Sequence, residues 1–261
     1  MMDSMSLYTP RDSGFDRLHP LTKVSLAGFA LVLGLSLPTL WGPYLIVALI
    51  VIPLAVWGKV LGRLVRASWP IILPFMLSVF LIQGLFWQGG AILARLGPLS
   101  LKTEGVLFAA VSSGRIICVV TSFLLMAFTT RPDDLMIALS QRGFPPSLNY
   151  VVLATIQIVP RFRARAQTIL DAQQSRGLAL TGNPLQRARA LVPLVVPLVL
   201  SSIVDVEQRA IALEARAFNR PVKKTSFRSL TDTGFQQSLR IILLAGIIGA
   251  PLSRLGWMIL G

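Results

Sequence analysis

The sequence contains one cysteine, Cys118, and one histidine, His19, among 261 residues. A disulfide framework, a zinc tetrahedron or a haem pocket needs several such side chains at one point, so these classes of site are excluded. Charged residues make up only 14% of the chain, whereas a water-soluble domain usually carries about 25%. Apolar residues make up 54%, and the mean hydropathy is +0.69. The composition therefore predicts a membrane protein.

The chain also has few acidic residues, 11 against 25 Lys and Arg, which gives a formal net charge of +14. A basic balance of this size is common among nucleic-acid-binding proteins, but so apolar a chain has no polar surface on which to present its basic groups to nucleic acid. We therefore expect no nucleic-acid partner and basic groups gathered on one side of a lipid bilayer. The first 23 residues carry six charges and no apolar stretch before Leu18, so we also expect no removable signal peptide.

The sequence contains several apolar stretches that are about long enough to span a membrane. A bilayer core about 30 Å thick requires roughly 20 mostly apolar helical residues. Two shorter runs, 148–160 and 191–204, are interrupted by prolines, and the sequence leaves open whether they span the membrane, dip into it or pack against other helices. The predicted spans are 24–41, 43–57, 69–87, 106–130 and 239–260.

Charge placement predicts the orientation, because basic residues near span ends are retained in the cytoplasm. Residues 131–240 hold 15 of the 25 Lys and Arg and 7 of the 11 Asp and Glu, a net charge of 15 − 7 = +8. The sequence predicts an all-α, polytopic cell-membrane protein of about five transmembrane helices, with a cytoplasmic module of two long helices. The predicted division is an N-terminal arm and membrane platform (1–130), the cytoplasmic module (131–238) and a C-terminal span (239–261). The 88–105 connection, with GG and GP dipeptides, is the predicted outside loop.

Two segments of the basic region have helical composition and end alike. The segment that starts at Pro160 ends in Ser175-Arg176-Gly177, and the segment that starts near Ser201 ends in Ala215-Arg216-Ala217. A single arginine in a last helical turn is explained by the helix dipole, which favours it by roughly 0.3–1 kcal/mol. Two matched ends suit insertion into two similar grooves, because small flanks permit close approach while the guanidinium reaches a carboxylate.

With these motifs the chain resembles the T component, or transmembrane coupling subunit, of energy-coupling factor (ECF) transporters, the CbiQ/EcfT-type proteins. In that family, two cytoplasmic coupling helices end in Ala-Arg-Gly-type triplets that dock into two ATPase subunits. A separate membrane subunit of the transporter binds the substrate. The residues that carry the resemblance are LHPLTK (18–23), QRGFP (141–145), IVPRF (158–162), ILDAQQSRGL (169–178), LVPLVVPL (191–198) and ALEARAF (212–218).

The resemblance implies ATPase docking by both triplets. Arg176 and Arg216 fall on the arginines of the family motif, and Ser175 and Ala217 depart from its pattern. Alanine tolerates a positive φ poorly, so we expect that a left-handed helix stop at Ala217 is disfavoured. The candidate docking residues are Ser175, Arg176, Gly177, Ala215, Arg216 and Ala217.

The resemblance also implies a subunit with no catalytic, cofactor-binding or metal-binding residues of its own. Its expected partners are two ABC ATPase subunits that bind ATP, one substrate-binding membrane subunit (the S component) and the lipid bilayer, in a transporter that takes up a vitamin or a metal ion. Two other functions stay open. A conventional ABC permease subunit is faintly suggested by Asp171-Ala172-Gln173 with Gly177, whereas a membrane enzyme such as a lipid phosphotransferase needs clustered Asp, His or Lys at the membrane surface.

Arg115 interrupts the fourth span, where a charge at the bilayer centre costs roughly 2.5–3.5 kcal/mol. We therefore expect it nearer the outer interface, where its side chain can extend to the headgroups, or bonded to a backbone carbonyl. Small residues at Ser112-Ser113-Gly114, Gly246 and Gly249 are expected to pack the chain's own helices, with contact to the substrate-binding subunit as the alternative.

Overall fold

The structure is a computed structural model that describes residues 14–15, 18–37, 39–87, 91–96, 99–178, 183, 191–218, 220 and 230–260. Its contacts divide the chain into two compact units, Met1–Gln141 with Arg228–Gly261, and Arg142–Phe227. The elements in chain order are α1 (Pro20–Ser36), α2 (Gly42–Ile46), a π-helical turn (Val47–Val51), α3 (Ile52–Trp57), α4 (Leu61–Phe86), β1 (Ile92–Leu96), β2 (Leu99–Lys102), α5 (Thr103–Thr129), α6 (Pro132–Gln141), α7 (Pro146–Ser175), α8 (Val192–Ala215) and α9 (Gly234–Leu260). Helices α7 and α8 form the second unit.

Three of the described helices are long and apolar enough to cross a membrane: α4, α5 and the Gly234–Leu252 part of α9, with mean hydropathies of 1.9, 1.8 and 1.4 in their apolar windows. Pro20–Ser36 and Gly42–Trp57 are shorter apolar helices. These five segments overlap the five predicted spans, and the all-α membrane fold is confirmed. The division of the chain into a platform, a coupling module and a C-terminal span concerns function, and it stays a prediction.

Two connections between spans are more regular than the sequence indicated. The predicted spans leave a basic connection over 58–68, but helix α4 begins at Leu61, so most of this stretch is helical. Leu64 is buried in the core, and the Arg63 guanidinium lies 4.6 Å from the centroid of the Phe128 ring, which explains why this basic segment folds onto the bundle. The predicted 88–105 loop contains an antiparallel hairpin in which β1 pairs with β2.

The apolar helix between Gly42 and Trp57 widens into a π-helical turn over Val47–Val51. Pro53 follows this turn, and proline has no N–H and clashes with the carbonyl four residues earlier. The backbone avoids that clash by adding one residue to the turn. Val51 and Ala55, on either side of the proline, are both fully buried. The turn therefore keeps both side chains in the core despite the proline.

The core of the first unit forms where α1 and α5 approach closely. A Cβ atom at Gly34 would overlap the Cys118 sulfur, so only glycine fits there. The Cys118 thiol lies 3.3 Å from the Ala30 carbonyl and is fully buried, so this cysteine serves as a small packing residue. The buried cluster consists of Ala30, Ile46, Val51, Ala55, Val60, Leu64, Cys118, Leu125 and Phe128.

The LHPLTK segment fastens the start of α1 to two other helices. The Lys23 ammonium donates to the Thr129 carbonyl at the end of α5 (2.9 Å), where a cation also complements the helix dipole. The His19 N–H donates to Gln236 Oε1 of α9 (2.9 Å), and the buried Arg240 guanidinium lies 3.4 Å from His19 Nδ1. His19 is therefore a structural residue that joins the start of α1 to α9.

Two of the small residues in the spans pack against the chain's own aromatic rings. A Cβ atom at Gly114 would lie 2.7 Å from the Tyr44 ring, and one at Gly246 would lie 2.5 Å from the Phe29 ring. Internal packing is therefore confirmed for Gly114 and Gly246. Gly249 differs, because a Cβ atom there would meet no atom of the described residues within 4 Å.

Candidate functional site

The candidate docking residues lie at the C-terminal ends of α7 and α8, the two long helices of the second unit. Helix α7 ends at Ser175, and Arg176 follows with φ −88° and ψ 8°. Gly177 then adopts a φ of +95°. The Gly177 N–H donates to the Gln174 carbonyl (2.9 Å), and the Leu178 N–H donates to the Gln173 carbonyl (3.0 Å). This pair of bonds is a complete Schellman motif, which satisfies carbonyls that the helix end would leave free.

Helix α8 ends with the same geometry. It stops at Ala215, and Arg216 follows with φ −87° and ψ 8°. The Ala217 N–H donates to the Glu214 carbonyl (2.8 Å), and the Phe218 N–H donates to the Leu213 carbonyl (3.0 Å). Each arginine therefore occupies the same position in the same motif, immediately before the left-handed residue.

The expectation that a left-handed stop is disfavoured at Ala217 is wrong, because Ala217 has a φ of +51°. A left-handed alanine costs roughly 1–2 kcal/mol. Two Schellman hydrogen bonds offset that cost, and Phe218 is held by a ring contact with Tyr150 of α7 at 5.4 Å between centroids. The end of α8 thus has the same hydrogen-bonded backbone as the end of α7, without a glycine at the left-handed position.

All six candidate docking residues are exposed. Within the described part of the chain, the guanidinium groups of Arg176 and Arg216 have no hydrogen bond or ion pair. Their neighbours Ser175, Gly177, Ala215 and Ala217 are small, so nothing large on either side of each arginine keeps a partner surface away. Both ends can therefore present an arginine into a groove.

Helices α7 and α8 run antiparallel and are joined near their middles. The Arg165 guanidinium donates to Asp205 Oδ2 (2.6 Å) and to the Ser201 carbonyl (3.1 Å). Tyr150 precedes Arg165 on α7, whereas its partner Phe218 follows Asp205 on α8. The order of the contacts along one helix is therefore reversed along the other, so the two helices run antiparallel.

The antiparallel arrangement separates the two candidate ends. Arg176 is eleven residues beyond Arg165, and Arg216 is eleven residues beyond Asp205. At 1.5 Å per residue, each arginine lies about 16 Å from the junction, in opposite directions. The structure therefore places Arg176 and Arg216 about 30 Å apart, at opposite ends of one two-helix unit.

In the sequence, Asp205 lies four residues before Arg209, an order that favours an ion pair on one helix. The structure pairs Asp205 with Arg165 of the other helix instead. A signal for this cross-helix pair was present, because Arg165 and Asp205 each precede a triplet arginine by eleven residues. Where two similar helices cross, residues at equivalent positions can come into contact, and opposite charges at those positions favour an ion pair. A cavity of about 710 Å³ borders this junction and is lined in part by Arg161 and Arg209.

Among the described residues, no three His, Cys, Asp or Glu side chains come together as a metal site would require. Asp133 and Asp134 lie in the first turn of α6, where their charges complement the helix dipole. The position at a helix terminus accounts for this acidic pair without a catalytic role.

Comparison with known proteins places the whole chain among membrane transport proteins. The sequence model of the family described as "Cobalt transport protein" (CbiQ) matches residues 13–226. The chain is similar to the energy-coupling factor transporter transmembrane protein EcfT of Heliobacterium modesticaldum, with 31% identity, 88% of this chain and 90% of that protein covered. The proteins of the same name from Leuconostoc gelidum and Bacillus subtilis are each 28% identical. They cover 93% and 95% of this chain and 92% and 98% of their own lengths.

Proposed function

Since the chain belongs to the CbiQ family and is a transmembrane T component of an ECF transporter, we propose that it couples two ATPase subunits to a substrate-binding membrane subunit. In that role the chain is a non-catalytic subunit, and the partner ATPases bind and hydrolyse ATP. The partner membrane subunit recognises the substrate, a vitamin or a metal ion. The chain itself transmits movement between the two.

The observation that supports this proposal is the pair of identical helix ends. Two ATPase subunits of similar structure present two similar grooves, and one chain can fill both only if it displays the same feature twice. Arg176 and Arg216 do so in the same backbone motif, about 30 Å apart. Arginine is suited to this contact because its planar fork binds a carboxylate through two parallel hydrogen bonds, which hold direction as well as position.

The junction between α7 and α8 explains how movement at the helix ends would be passed on. The Arg165–Asp205 ion pair and the Tyr150–Phe218 ring contact join the helices at two places. When the ATPases close on ATP, the two docked ends move relative to each other. The joined helices then turn or slide as one element, a type of movement that packed helices accommodate by small shifts at their contacts.

Charge supports a cytoplasmic location for α7 and α8, where the ATPases would be. Residues 131–240 carry 15 of the 25 Lys and Arg, and basic segments near spans are retained in the cytoplasm. Many apolar side chains of α8, such as Val195, Val199 and Ile203, are exposed in the structure. An apolar helix surface of this extent marks a contact with another subunit or with lipid.

The proposal is tested by reversing charge at both ends in Arg176→Glu/Arg216→Glu, with Arg163→Glu as the matched control. Arg163 is also an exposed arginine of α7, but it lies outside the triplets. We expect the double variant to stay in the membrane and to lose both ATPases on affinity purification, and the control to retain them. Co-purification of both ATPases with the double variant would refute ATPase docking by these ends.

A further inference from the structure

Arg115 lies at the middle of α5, which spans Thr103 to Thr129. It is twelve residues from one end and fourteen from the other, which places it about 18 Å and 21 Å from the two ends of the helix. The expected position nearer the outer interface stays a prediction; along α5 itself, Arg115 is central. An arginine side chain reaches about 7 Å from its Cα, whereas the centre of a bilayer core is about 15 Å from either interface. With the middle of α5 at the bilayer centre, the Arg115 side chain would not reach the headgroups of an unthinned bilayer.

The residues around Arg115 also leave its guanidinium group without a complete set of hydrogen bonds. Its Nε atom is buried and has no hydrogen-bond partner among the residues that the structure describes. The expected bond to a backbone carbonyl is absent from that same part of the chain. Gly114, the preceding residue, packs beneath the Tyr44 ring, so α5 is held at a fixed depth beside α2. Such an arginine is costly in the membrane, and charged groups at this depth ordinarily pair with another group.

The chain has no carboxylate side chain that can serve as the partner. The sequence contains no Asp or Glu between Asp16 and Glu104, and none after Asp232. Glu104 and Asp133 lie eleven and eighteen residues from Arg115, which corresponds to about 16 Å and 27 Å along a helix. The apolar spans of a second copy contain no Asp or Glu either, so a second copy would not supply a carboxylate at this depth. Lipid phosphates lie at the interfaces, so the counter-charge must come from a different membrane protein.

We propose that Arg115 docks an aspartate or glutamate side chain on a transmembrane helix of the substrate-binding subunit. This inference rests on the proposed function, which supplies a second membrane subunit. Phe108, Ser112 and Val119 lie on the same face of α5 as Arg115, at spacings of seven, three and four residues. Ser112 is small, so a partner helix can approach closely one turn from the charge. The ion pair then fixes the depth and the rotation at which the partner helix packs on α5.

The first test measures how much substrate-binding subunit is retained. The chain is co-expressed with its ATPases and that subunit, and the complex is purified through a tag on an ATPase from wild type, Arg115→Leu, Arg115→Lys and the control Leu107→Ala. Leu107 is an exposed apolar residue elsewhere on α5. In Arg115→Leu we expect about a tenfold loss of the substrate-binding subunit, with ATPase and this chain unchanged. We expect the lysine variant and the control to retain more of the substrate-binding subunit than Arg115→Leu does.

The second test identifies the partner residue and leaves Arg115 intact. A photo-cross-linking amino acid at Val119 is activated in membranes, and the cross-linked peptide is sequenced. We expect a transmembrane segment of the substrate-binding subunit that contains Asp or Glu. Exchange of the charges, with Arg115→Glu in this chain and arginine at that acidic position, restores the retention that Arg115→Glu alone abolishes.

Three results would overturn the inference: unchanged retention in Arg115→Leu, a cross-linked segment without an acidic residue, or failure of the charge exchange. Cross-links from Val119 to lipid alone would also overturn the inference. Absence of this chain from the wild-type purification would instead refute the proposed function, and the Val119 cross-link then decides separately whether a partner carboxylate faces Arg115.

Discussion

Exchange of the left-handed residue between the two helix ends is a quantitative test of their equivalence. Ala217 has a φ of +51°, and Gly177 has a φ of +95°. A left-handed alanine costs roughly 1–2 kcal/mol, while glycine has an extra entropic cost of about 0.5–1 kcal/mol on folding. Ala217→Gly should therefore stabilise the end of α8 by about 0.5–1 kcal/mol. Gly177→Ala should destabilise the end of α7 by at least as much, because +95° is further from the region that alanine tolerates.

Hydrogen exchange followed by mass spectrometry reports these changes at the relevant amides. The Phe218 and Leu178 N–H groups each donate the outer bond of a Schellman motif, so both exchange only when that helix end opens. A change of 0.5–1 kcal/mol corresponds to about a two- to fivefold change in exchange rate. We expect slower exchange at Phe218 in Ala217→Gly and faster exchange at Leu178 in Gly177→Ala, with other helices unaffected.

Either of two results would refute the reasoning. If Ala217→Gly accelerates exchange at Phe218, the alanine is not strained in the folded protein. If Gly177→Ala leaves Leu178 unchanged, the end of α7 does not depend on the left-handed residue. In both cases the two ends would differ in physical character, and a shared docking role would lose its structural basis.

Two further predictions concern helix packing. Gly246→Leu should lower the free energy of unfolding of the detergent-solubilised protein by about 1–3 kcal/mol, because the leucine side chain would meet the Phe29 ring. Gly249→Leu should have little effect, because a Cβ atom there meets no described residue. Equal losses of stability in the two variants would contradict the packing described. A double-mutant cycle of Arg165→Ala and Asp205→Ala should give a coupling energy of about 0.5–1 kcal/mol, since this ion pair is 41% exposed at both side chains. Strict additivity of the two changes in stability would show that the pair does not join α7 to α8.

Much of the membrane platform could be predicted from sequence because its signal is local. A run of about 20 apolar residues has few alternatives to a helix in lipid, and all five predicted spans overlap apolar helices. The start of α4 at Leu61 was missed because the basic residues near it indicated a connection. The stacking of Arg63 on Phe128, a residue far along the chain, outweighs that local signal.

At the candidate site, too, contacts with residues far along the chain limit what the sequence can predict. The positions of Arg176 and Arg216 at helix ends follow from composition and motif, but the backbone of Ala217 does not, because its strain is offset by contacts of Phe218 with a distant helix. The partner of Asp205 was also mispredicted. A local pair four residues apart contributes only about 0.3–0.5 kcal/mol, so a crossing helix that presents Arg165 readily displaces it.

Native mass spectrometry of the purified transporter, which counts subunits directly, tests ATPase docking by two equivalent helix ends. For wild type we expect one copy of this chain with two ATPase subunits and one small membrane subunit. Arg176→Glu and Arg216→Glu, each alone, should yield complexes with one ATPase, and the double variant none. A wild-type complex with a single ATPase, or two ATPases retained in the double variant, would contradict two-ended docking.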